Sequence, residues 1–424
     1  MDRLAIRGGT PAFTETVERY NTIGAEELSA VTEVLRSGNL SQFLGEKDQD
    51  FYGGPRVLEF EENWSNYFSV THSVSVNSCT SGLIAAIGAV GVEPGDEVIV
   101  STWTMAATAT AALVWNAVPV FVDIEDETFN LDPEAFRENI TERTKAVVVT
   151  NIFGHGARLD EIILIAREFG IAIIEDNAQA PGAMETGRFT GTIGDIGVFS
   201  LNYHKHIHTG EGGVCVTNNG ELAERMRLIR NHGEAVVESS DPKMLANMLG
   251  FNFRMGEVEA AIGIEQLRKL SGLIEEKQAW AMQLTEGLGD LSGLRTPVVR
   301  TNCSHVYYAY PLLVDEDILG VKRDLICAAL VSEGIPLLAK DFTLIHSLPL
   351  YQNRIAYGQH GFPWVSSVYQ GAVCYDDDNF PVAKNLLNKR YLNLALSLGK
   401  FDVDGLDKLI AAFRKVWRNM EQLL

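Results

Sequence analysis

Short apolar runs alternate with helical patterns along the first half of the chain. Runs rich in valine and isoleucine are separated by stretches in which apolar residues recur every three or four positions, as on one face of a helix. This rhythm predicts an α/β fold with a mostly parallel sheet that carries helices on its faces. The predicted strands are 98–100, 118–122, 146–150, 171–175, 196–199 and 214–217.

Helical periodicity also marks the flanks of this region. It predicts a helix over 25–37, which the glycine at position 38 would end, and a long helix over 257–280. A strand over 307–314 and a helix over 325–333 then indicate a smaller α+β domain. We therefore predict a large domain over residues 1–265, including an N-terminal arm, and a small domain over residues 266–424.

Composition and charge narrow the possible partners. The 424 residues include 56 acidic and 35 basic side chains, a formal charge of -21. This argues against nucleic acid or an anionic membrane as a partner, because both require clustered positive charge. The scattered cysteines lack CxxC spacing and are typical of reduced thiols, so we expect no metal site. Without an apolar signal sequence or a long apolar run, the protein is expected to be cytoplasmic.

One lysine stands out as a candidate nucleophile. Lys205 lies in the stretch FSLNYHKHIHTGEGG, close to two histidines and before a glycine-rich turn. Burial beside other cations lowers the pKa of a lysine toward the neutral form that attacks an aldehyde, as in Schiff-base enzymes. A solvated loop lysine is the ordinary alternative, and this stretch alone does not decide between the two.

Two stretches offer contacts for a phosphate. The small-residue turn in VNSCTSGLIAAI, which includes Cys79 and Thr80, opens an apolar helix. The N-terminus of such a helix has free N–H groups and a positive dipole end, which suit a phosphate. Ser200 follows a predicted strand and offers a hydroxyl on the same edge of the sheet. An ordinary N-cap and a plain turn serine are the alternatives.

Two further stretches suit an aromatic ring. Asp176 ends a buried strand, where a carboxylate can hold a pyridine nitrogen protonated, and Gln179 can bond a ring hydroxyl. Trp103 and Met105 follow another strand and can cover the face of a ring. A helix-capping aspartate and a core tryptophan are the alternatives. Together the four stretches predict a pocket for a phosphorylated aromatic cofactor.

Several motifs in fixed order resemble one family. VNSCTSGL, PGDEVIV, EDNAQAPGA, GDIGVFSLNYHK, TGEGG and GFNFRMGEVEAAIGIEQL are similar to motifs of the DegT/DnrJ/EryC1/StrS family of pyridoxal-phosphate-dependent sugar aminotransferases. The resemblance runs from about residue 24 to the C-terminus and weakens after residue 270. It implies a fold-type I transferase with a mostly parallel seven-stranded sheet, a smaller α+β domain, and active sites shared across a homodimer.

The resemblance implies a role for each matching residue. Lys205 matches the lysine that forms the Schiff base with pyridoxal 5'-phosphate, and Asp176 matches the acid that pairs with the pyridine nitrogen. Gln179 matches the residue at the cofactor hydroxyl. Thr80 and Ser200 match phosphate contacts.

Other positions match less directly. In GFNFRM, Asn252 matches an asparagine that reaches the phosphate of the neighbouring subunit, and Arg254 lies close to it. Cys79 stands where many family members have glycine, so the backbone approach to the phosphate is expected to differ slightly. Met105 stands where an aromatic residue is often found, which leaves Trp103 as the nearest aromatic side chain.

The implied reaction moves an amino group from glutamate or glutamine, through pyridoxamine 5'-phosphate, to a nucleotide-linked keto sugar. A keto-cyclitol such as scyllo-inosose is the alternative acceptor. Pyridoxamine-dependent sugar dehydratases of similar pattern have histidine in place of Lys205, which disfavours dehydration. A non-catalytic regulatory homologue is disfavoured because Lys205, Asp176 and Gln179 are all present.

Three residues are candidate substrate contacts. His206 follows Lys205 directly, and Arg254 lies in the GFNFRM motif. Arg354 lies in the stretch LPLYQNRIAYGQHGFPW, residues 348–364. This stretch forms either part of the acceptor pocket or a surface loop, and the sequence leaves both possibilities open.

Overall fold

The computed structural model describes residues 3–238 and 241–424. Its strands are β1 (Glu18–Arg19), β2 (His72–Val76), β3 (Glu97–Ser101), β4 (Val118–Val122), β5 (Thr144–Thr150), β6 (Ala172–Asp176), β7 (Met184–Glu185), β8 (Arg188–Phe189), β9 (Ile196–Ser200), β10 (Gly213–Thr217), β11 (Leu294–Arg295), β12 (Tyr310–Val314), β13 (Leu338–Ala339), β14 (Tyr391–Leu394) and β15 (Gly399–Lys400). Its α-helices are α1 (Ala25–Ser37), α2 (Pro55–Phe68), α3 (Cys79–Ala89), α4 (Ala106–Val114), α5 (Pro133–Glu138), α6 (Leu159–Phe169), α7 (Gly220–Arg230), α8 (Pro242–Leu245), α9 (Glu257–Leu288), α10 (Glu316–Leu319), α11 (Arg323–Ser332), α12 (Pro349–Gln352), α13 (Pro381–Asn385) and α14 (Val403–Arg418). Within these described ranges, no helix is both long and apolar enough to cross a membrane.

Seven strands form the central sheet, in the order β2-β10-β9-β6-β5-β3-β4. The pairs β3/β4, β3/β5, β5/β6 and β6/β9 are parallel. Strand β10 runs antiparallel to both of its neighbours, β9 and β2. The predicted α/β fold with a mostly parallel seven-stranded sheet is therefore confirmed.

The central strands form where the sequence predicts them because their side chains are buried on both faces. Every residue of β3, β4, β9 and β10 is buried. Continuous runs of valine and isoleucine are typical of a sheet covered by helices on both sides. The segment predicted over 171–175 is shifted by one residue, which places Asp176 at the last position of β6.

The sequence pattern did not reveal β2, which has the sequence HSVSV. Its serines interrupt the apolar run, yet Ser73 and Ser75 are buried. The backbone N–H and the hydroxyl of Ser75 both donate to Glu61 of α2 at 2.8 Å, and Ser73 shares a hydrogen bond of 2.8 Å with Ser65. Buried polar side chains with partners are compatible with a strand interior, but a search for apolar runs overlooks them.

A second sheet, in the order β11-β12-β14-β13, forms the core of the C-terminal part with α11 and α14. All its strand pairs are antiparallel. Strand β12 starts at Tyr310 and not at the predicted residue 307, because Tyr307 has a left-handed φ of 52° that a strand does not accommodate. The helix predicted over 325–333 is α11.

Helix α9 runs without interruption from the hydrophobic core beside the central sheet, the first core, to the core of the C-terminal sheet, the second core. Its N-terminal half, which includes Ile264 and Leu267, packs with residues of α2 and β9, whereas Trp280 and Leu284 pack with β12 and α14. The N-terminal arm also joins the second core, since Leu4 is buried there and β1 pairs with β15. The predicted boundary at 265/266 thus falls inside one helix, and the arm packs with C-terminal residues.

A buried ion pair fixes β2 against its neighbours. Arg230, at the end of α7, is fully buried. Its Nη1 donates to Glu61 of α2 at 2.6 Å and to the backbone oxygen of Ser75 in β2 at 3.0 Å. A buried pair is stable only while both charges are present, because a lone charge in the interior has lost its hydration.

We expect Arg230→Met to lower the free energy of unfolding by about 3–5 kcal/mol, since it leaves the Glu61 carboxylate buried without its cation. Arg56→Met is the matched control. It removes ion pairs with Glu33 and Glu59 that are partly exposed, and we expect a loss below about 1 kcal/mol. Urea denaturation followed by circular dichroism measures both variants. Equal losses would contradict the structural role of the buried pair.

Candidate active site

A cavity of about 240 Å³ lies at the carboxyl ends of β6 and β9, against the N-terminus of α3. Candidate residues from separate segments of the chain meet in its wall. These are Cys79, Thr80, Asp176, Gln179, Ser200 and Lys205. The cavity therefore lies at the carboxyl ends of the strands, where the sequence predicts a ligand.

Lys205 is buried in this cavity, with 7% of its surface exposed. Its Nζ lies 4.5 Å from the ring centroid of Tyr308. Burial lowers the pKa of Lys205 below its usual value, and the neighbouring carboxylate of Asp176 opposes that shift. The amine is more easily neutral than one in water, which favours attack on a carbonyl carbon. A solvated loop lysine does not describe this residue.

Asp176 is buried on another wall, with 4% of its surface exposed. One carboxylate oxygen accepts from the Thr108 hydroxyl at 2.8 Å, and the other accepts from the backbone N–H of Ala178 at 3.2 Å. Burial raises the pKa of Asp176, and these hydrogen bonds together with Lys205 oppose the rise. A carboxylate held in this way favours a cationic partner within the cavity, such as a protonated ring nitrogen.

The first turn of α3 presents N–H donors to the cavity. Ser78 caps this helix, since its hydroxyl accepts from the N–H of Ser81 at 3.1 Å. The N–H groups of Cys79 and Thr80 precede the intrahelical hydrogen bonds, so they and the helix dipole attract an anion. Ser200 adds a hydroxyl from the end of β9. Burial raises the pKa of the Cys79 thiol well above its usual value, so the thiol is neutral and does not repel an anion.

Gly213 allows the strand that follows the loop of Lys205 to lie against the first turn of α3. It begins β10 and pairs with both Val76 and Ser200. A Cβ at this position would lie 2.7 Å from the Cys79 nitrogen and 2.8 Å from the Ser78 carbonyl carbon. These distances are too short for a side-chain atom beside backbone, so glycine is required here.

Trp103 lies away from the cavity. It is fully buried and stacks on Phe342, with ring centroids 4.7 Å apart. Thr104 and Met105 line the cavity, and Met105 is 64% exposed. A tryptophan packed in the core does not cover a ligand, so its position fits the alternative of core packing and does not fit the predicted stacking role.

A second, outer chamber of about 670 Å³ adjoins the first. Thr104, Met105, Gln179, His204 and Tyr308 line both chambers and form the boundary between them. The Oε1 of Gln179 accepts from the backbone N–H of Phe153 at 2.7 Å, so its amide NH₂ group remains as a donor. The outer wall also includes Tyr203, Asp341, Phe342, Thr343, Tyr391 and Asn393.

Asn252 and Arg254 lie outside both linings as the structure describes them. Asn252 is exposed, and its backbone oxygen accepts from the side chain of Asn77 at 3.3 Å. Its Oδ1 accepts from Nε of Arg254 at 2.8 Å. The contact that the family resemblance implies for Asn252, with the phosphate of a neighbouring subunit, stays a prediction.

His206 and Arg354 lie outside the two chambers for different reasons. His206 is fully buried, and its Nε2 donates to the backbone oxygen of Val306 at 2.7 Å. Burial lowers the pKa of His206 to about 3, so it is a neutral structural group. Arg354 is exposed and donates to the backbone oxygen of Val373 at 2.7 Å. Neither position fits a contact with substrate, and for Arg354 the surface-loop alternative describes its surroundings.

Two further residues of the site, Thr108 and Tyr308, are not indicated by any sequence motif. Thr108 lies in the first turn of α4, and its hydroxyl donates to Asp176. This contact depends on the start of α4 at Ala106, which the sequence pattern does not predict. Tyr308 comes from the segment before β12 and reaches Lys205 from a distant part of the chain. No local pattern indicates such a contact, because the two residues lie on segments that are far apart in the chain.

The arrangement fits a phosphorylated pyridine ring. A buried carboxylate suits the ring nitrogen, a buried amine suits a carbonyl carbon, and the start of α3 suits the phosphate. These groups belong to different elements around one cavity, so a single ligand can contact all of them.

Comparison with known proteins agrees with this arrangement. The model of the DegT/DnrJ/EryC1/StrS aminotransferase family matches residues 21–376. GDP-perosamine synthase of Caulobacter vibrioides is 36% identical over 287 residues, which cover 66% of this chain and 75% of that protein. L-glutamine:2-deoxy-scyllo-inosose aminotransferase of Streptoalloteichus tenebrarius is 34% identical over 374 residues, which cover 84% of this chain and 86% of that protein.

A solved structure extends the similarity to the whole fold. The structure of DesI, determined in the presence of its TDP-sugar product, gives a TM-score of 0.79 at 27% identity and covers 99% of this chain and 97% of that chain. The family that the sequence motifs indicate is therefore confirmed. The chain belongs to the DegT/DnrJ/EryC1/StrS aminotransferase family and is a pyridoxal-phosphate-dependent aminotransferase.

Proposed function

We propose that this aminotransferase moves an amino group from glutamate or glutamine to a nucleotide-linked keto-deoxysugar in amino-sugar biosynthesis. The observation that carries the proposal is the pair of adjoining chambers. The inner one holds Lys205 and Asp176, and the outer one offers room for a second ring beside them. Two similar proteins, GDP-perosamine synthase and DesI with its TDP-sugar product, support a nucleotide-linked acceptor.

Pyridoxal 5'-phosphate would be held by residues of several elements. Asp176 would pair with the ring nitrogen and Gln179 with the ring hydroxyl. Thr80, Ser200 and the first N–H groups of α3 would hold the phosphate. Lys205 would bind the carbonyl carbon. When bound, the cofactor supplies an electron sink next to the nitrogen that is transferred.

Lys205 is the residue placed to move the proton. Because burial lowers its pKa, more of the free amine is neutral, and the neutral amine can accept a proton from the donor and return it at a neighbouring atom. Asp176 would pair with the protonated ring nitrogen of the cofactor and so favour the charged form of the ring. The buried walls around both residues limit the access of water to the reacting atoms.

The outer chamber is the proposed acceptor site. Tyr203, Phe342 and Tyr391 bring aromatic faces to it, and Thr343 and Asn393 bring neutral polar groups. A sugar ring has apolar C–H faces and several hydroxyls, so these side chains suit it, and the carboxylate of Asp341 in the same wall can accept from a hydroxyl. The chamber adjoins the inner cavity at Gln179 and Tyr308, where acceptor and cofactor would meet.

A cyclitol ketone is the second candidate acceptor. The relative from Streptoalloteichus tenebrarius, named for 2-deoxy-scyllo-inosose, is similar over a larger share of this chain than GDP-perosamine synthase is. Dehydration by pyridoxamine phosphate and a non-catalytic role are less favoured. Lys205 is present and buried, and Asp176 and Gln179 line the same cavity.

We also propose that the enzyme is a homodimer with shared sites. Asn252 and Arg254 are bonded to each other and lie outside the linings of their own chain's chambers. Asn252 is exposed next to Asn77, which precedes the phosphate-binding turn. A second copy that approaches this edge would bring its Asn252 toward the phosphate, as the family resemblance implies.

A transamination screen tests the function. The enzyme with pyridoxal phosphate is supplied with glutamate or glutamine and with nucleotide-linked 3- and 4-keto sugars and a keto-cyclitol. We expect amination of a nucleotide-linked sugar and parallel initial-rate lines, because one site serves both half-reactions in turn. Lys205→Ala is the control without turnover. Amination of the cyclitol alone would favour the second candidate, and intersecting lines or no aminated product would refute the proposal.

A second prediction concerns the phosphate end of the site. Gly213→Ala would push the start of α3 away, since its Cβ would meet the Cys79 nitrogen at 2.7 Å. We expect pyridoxal phosphate to bind about 10- to 100-fold more weakly, which corresponds to the loss of a hydrogen bond to a charged group. Gly272→Ala is the control, because its Cβ would meet nothing within 4 Å. Absorbance titration measures both affinities, and unchanged binding in Gly213→Ala would contradict the role of this turn.

A further inference from the structure

We infer that Tyr308 is a positioning residue for Lys205. Its ring face holds the lysine ammonium at the boundary between the two chambers whenever the amine is not bonded to the cofactor. The catalytic meaning of this inference rests on the proposed function, but the contact itself does not. Tyr308 lies in the walls of both chambers, so the amine it holds faces the place where donor and acceptor would react.

The geometry is that of a cation above an aromatic ring. Nζ of Lys205 lies 4.5 Å from the centroid of the Tyr308 ring, within the distance of about 6 Å over which a cation is attracted to the ring face. The hydroxyl of Tyr308 is hydrogen-bonded to Nδ1 of His204 at 2.9 Å. His204 directly precedes Lys205, so the same loop carries the amine and the group that orients the ring.

The backbone beside Tyr308 is also fixed. The N–H of Val306 donates to the backbone oxygen of Gly154 at 2.8 Å, and the N–H of Ala309 donates to that of Phe153 at 3.3 Å. Both acceptors lie in the loop that follows β5. The ring is therefore held at its hydroxyl by the loop of Lys205, and the backbone on either side of it is held by the loop that follows β5, which sets the distance to the amine.

The titratable groups around Lys205 determine how the Tyr308 ring affects its protonation. Among the residues that the structure describes, the titratable groups in the wall of its cavity are Asp176, Cys79, His204, Glu211 and Tyr308, and the buried His206 follows it in the chain. Burial and the charge of Lys205 lower the pKa of His204 to about 4, and burial raises the pKa of Tyr308 to about 12. Both groups are neutral at neutral pH. The ring face therefore favours the protonated amine without adding a charge of its own, and it opposes the effect of burial.

The opposing effects of burial and of the Tyr308 ring set the proton affinity of Lys205. A lysine affected by burial alone would accept a proton weakly. The Tyr308 ring raises the proton affinity of the released amine, so that Lys205 can take up the proton and still give it back. Removing the ring is thus expected to lower the pKa of Lys205, whereas removing only the hydroxyl is not.

The test measures the pKa of Lys205 directly in the full chain without cofactor. The protein is acetylated briefly at a series of pH values, and the modification of Lys205 is quantified by mass spectrometry. We expect Tyr308→Leu to lower this pKa by about one unit, the size of an attraction of a buried cation to a ring. Tyr308→Phe retains the ring and is expected to keep the pKa near its original value. Tyr310→Phe is the control, since it removes a hydroxyl bonded to Thr285 at 2.8 Å in the second core.

An unchanged pKa of Lys205 in Tyr308→Leu would overturn the inference. Tyr308→Met, which also lacks the ring, gives the same measurement if the leucine variant does not fold. Because acetylation needs no substrate, the two proposals fail separately. A lowered pKa with no aminated product in the transamination screen would refute the proposed function alone. Transamination with an unshifted pKa would refute the positioning role alone.

Discussion

The burial of Lys205 and Asp176 in one cavity is the constraint on which the rest of the site depends. Each group loses its hydration and is driven toward its neutral form, and each opposes the shift in the pKa of the other. Parallel pairing makes this possible. Strand β6 lies beside β9 with Asp176 opposite Val198, so the carboxylate ends next to the strand that leads into Lys205. The buried amine and the buried carboxylate are thus placed together by the order of the strands.

The phosphate end of the cavity depends on interactions farther away. Strand β2 leads into α3, and it is fixed by Glu61, which accepts from Ser75 and is neutralised by the buried Arg230. Gly213 brings β10 and the loop of Lys205 against the same turn. An interior ion pair and a glycine therefore determine where the first N–H groups of α3 lie relative to the amine. The anion site and the nucleophile are parts of one packed unit.

The sequence was sufficient for the features that local patterns encode. Buried apolar runs predict the central strands, Asp176 and Ser200 are indicated by their positions at strand ends where ligands bind, and Lys205 is indicated by its histidines and the glycine-rich turn after it. Long-range packing decided the rest. The apolar pattern does not indicate strand β2, because hydrogen-bonded serines interrupt it. The sequence also suggests that Trp103 covers a ligand, whereas Trp103 stacks in the core on Phe342, which lies far along the chain. The contact of Tyr308 with Lys205 joins two segments that are far apart in the chain, and no spacing in the sequence indicates it.

We propose that the environment of Lys205, and not burial of a lysine alone, makes it the residue that binds the cofactor. Lys277 offers the comparison, because it is also fully buried, and burial lowers its pKa to about 7. Its Nζ donates to the backbone oxygen of Leu396 at 3.1 Å, away from Asp176. Borohydride reduction of the enzyme with its cofactor, followed by peptide mass spectrometry, locates the covalent bond. We expect the cofactor to be attached at Lys205. Attachment at Lys277 or another lysine, or no attachment, would contradict this proposal.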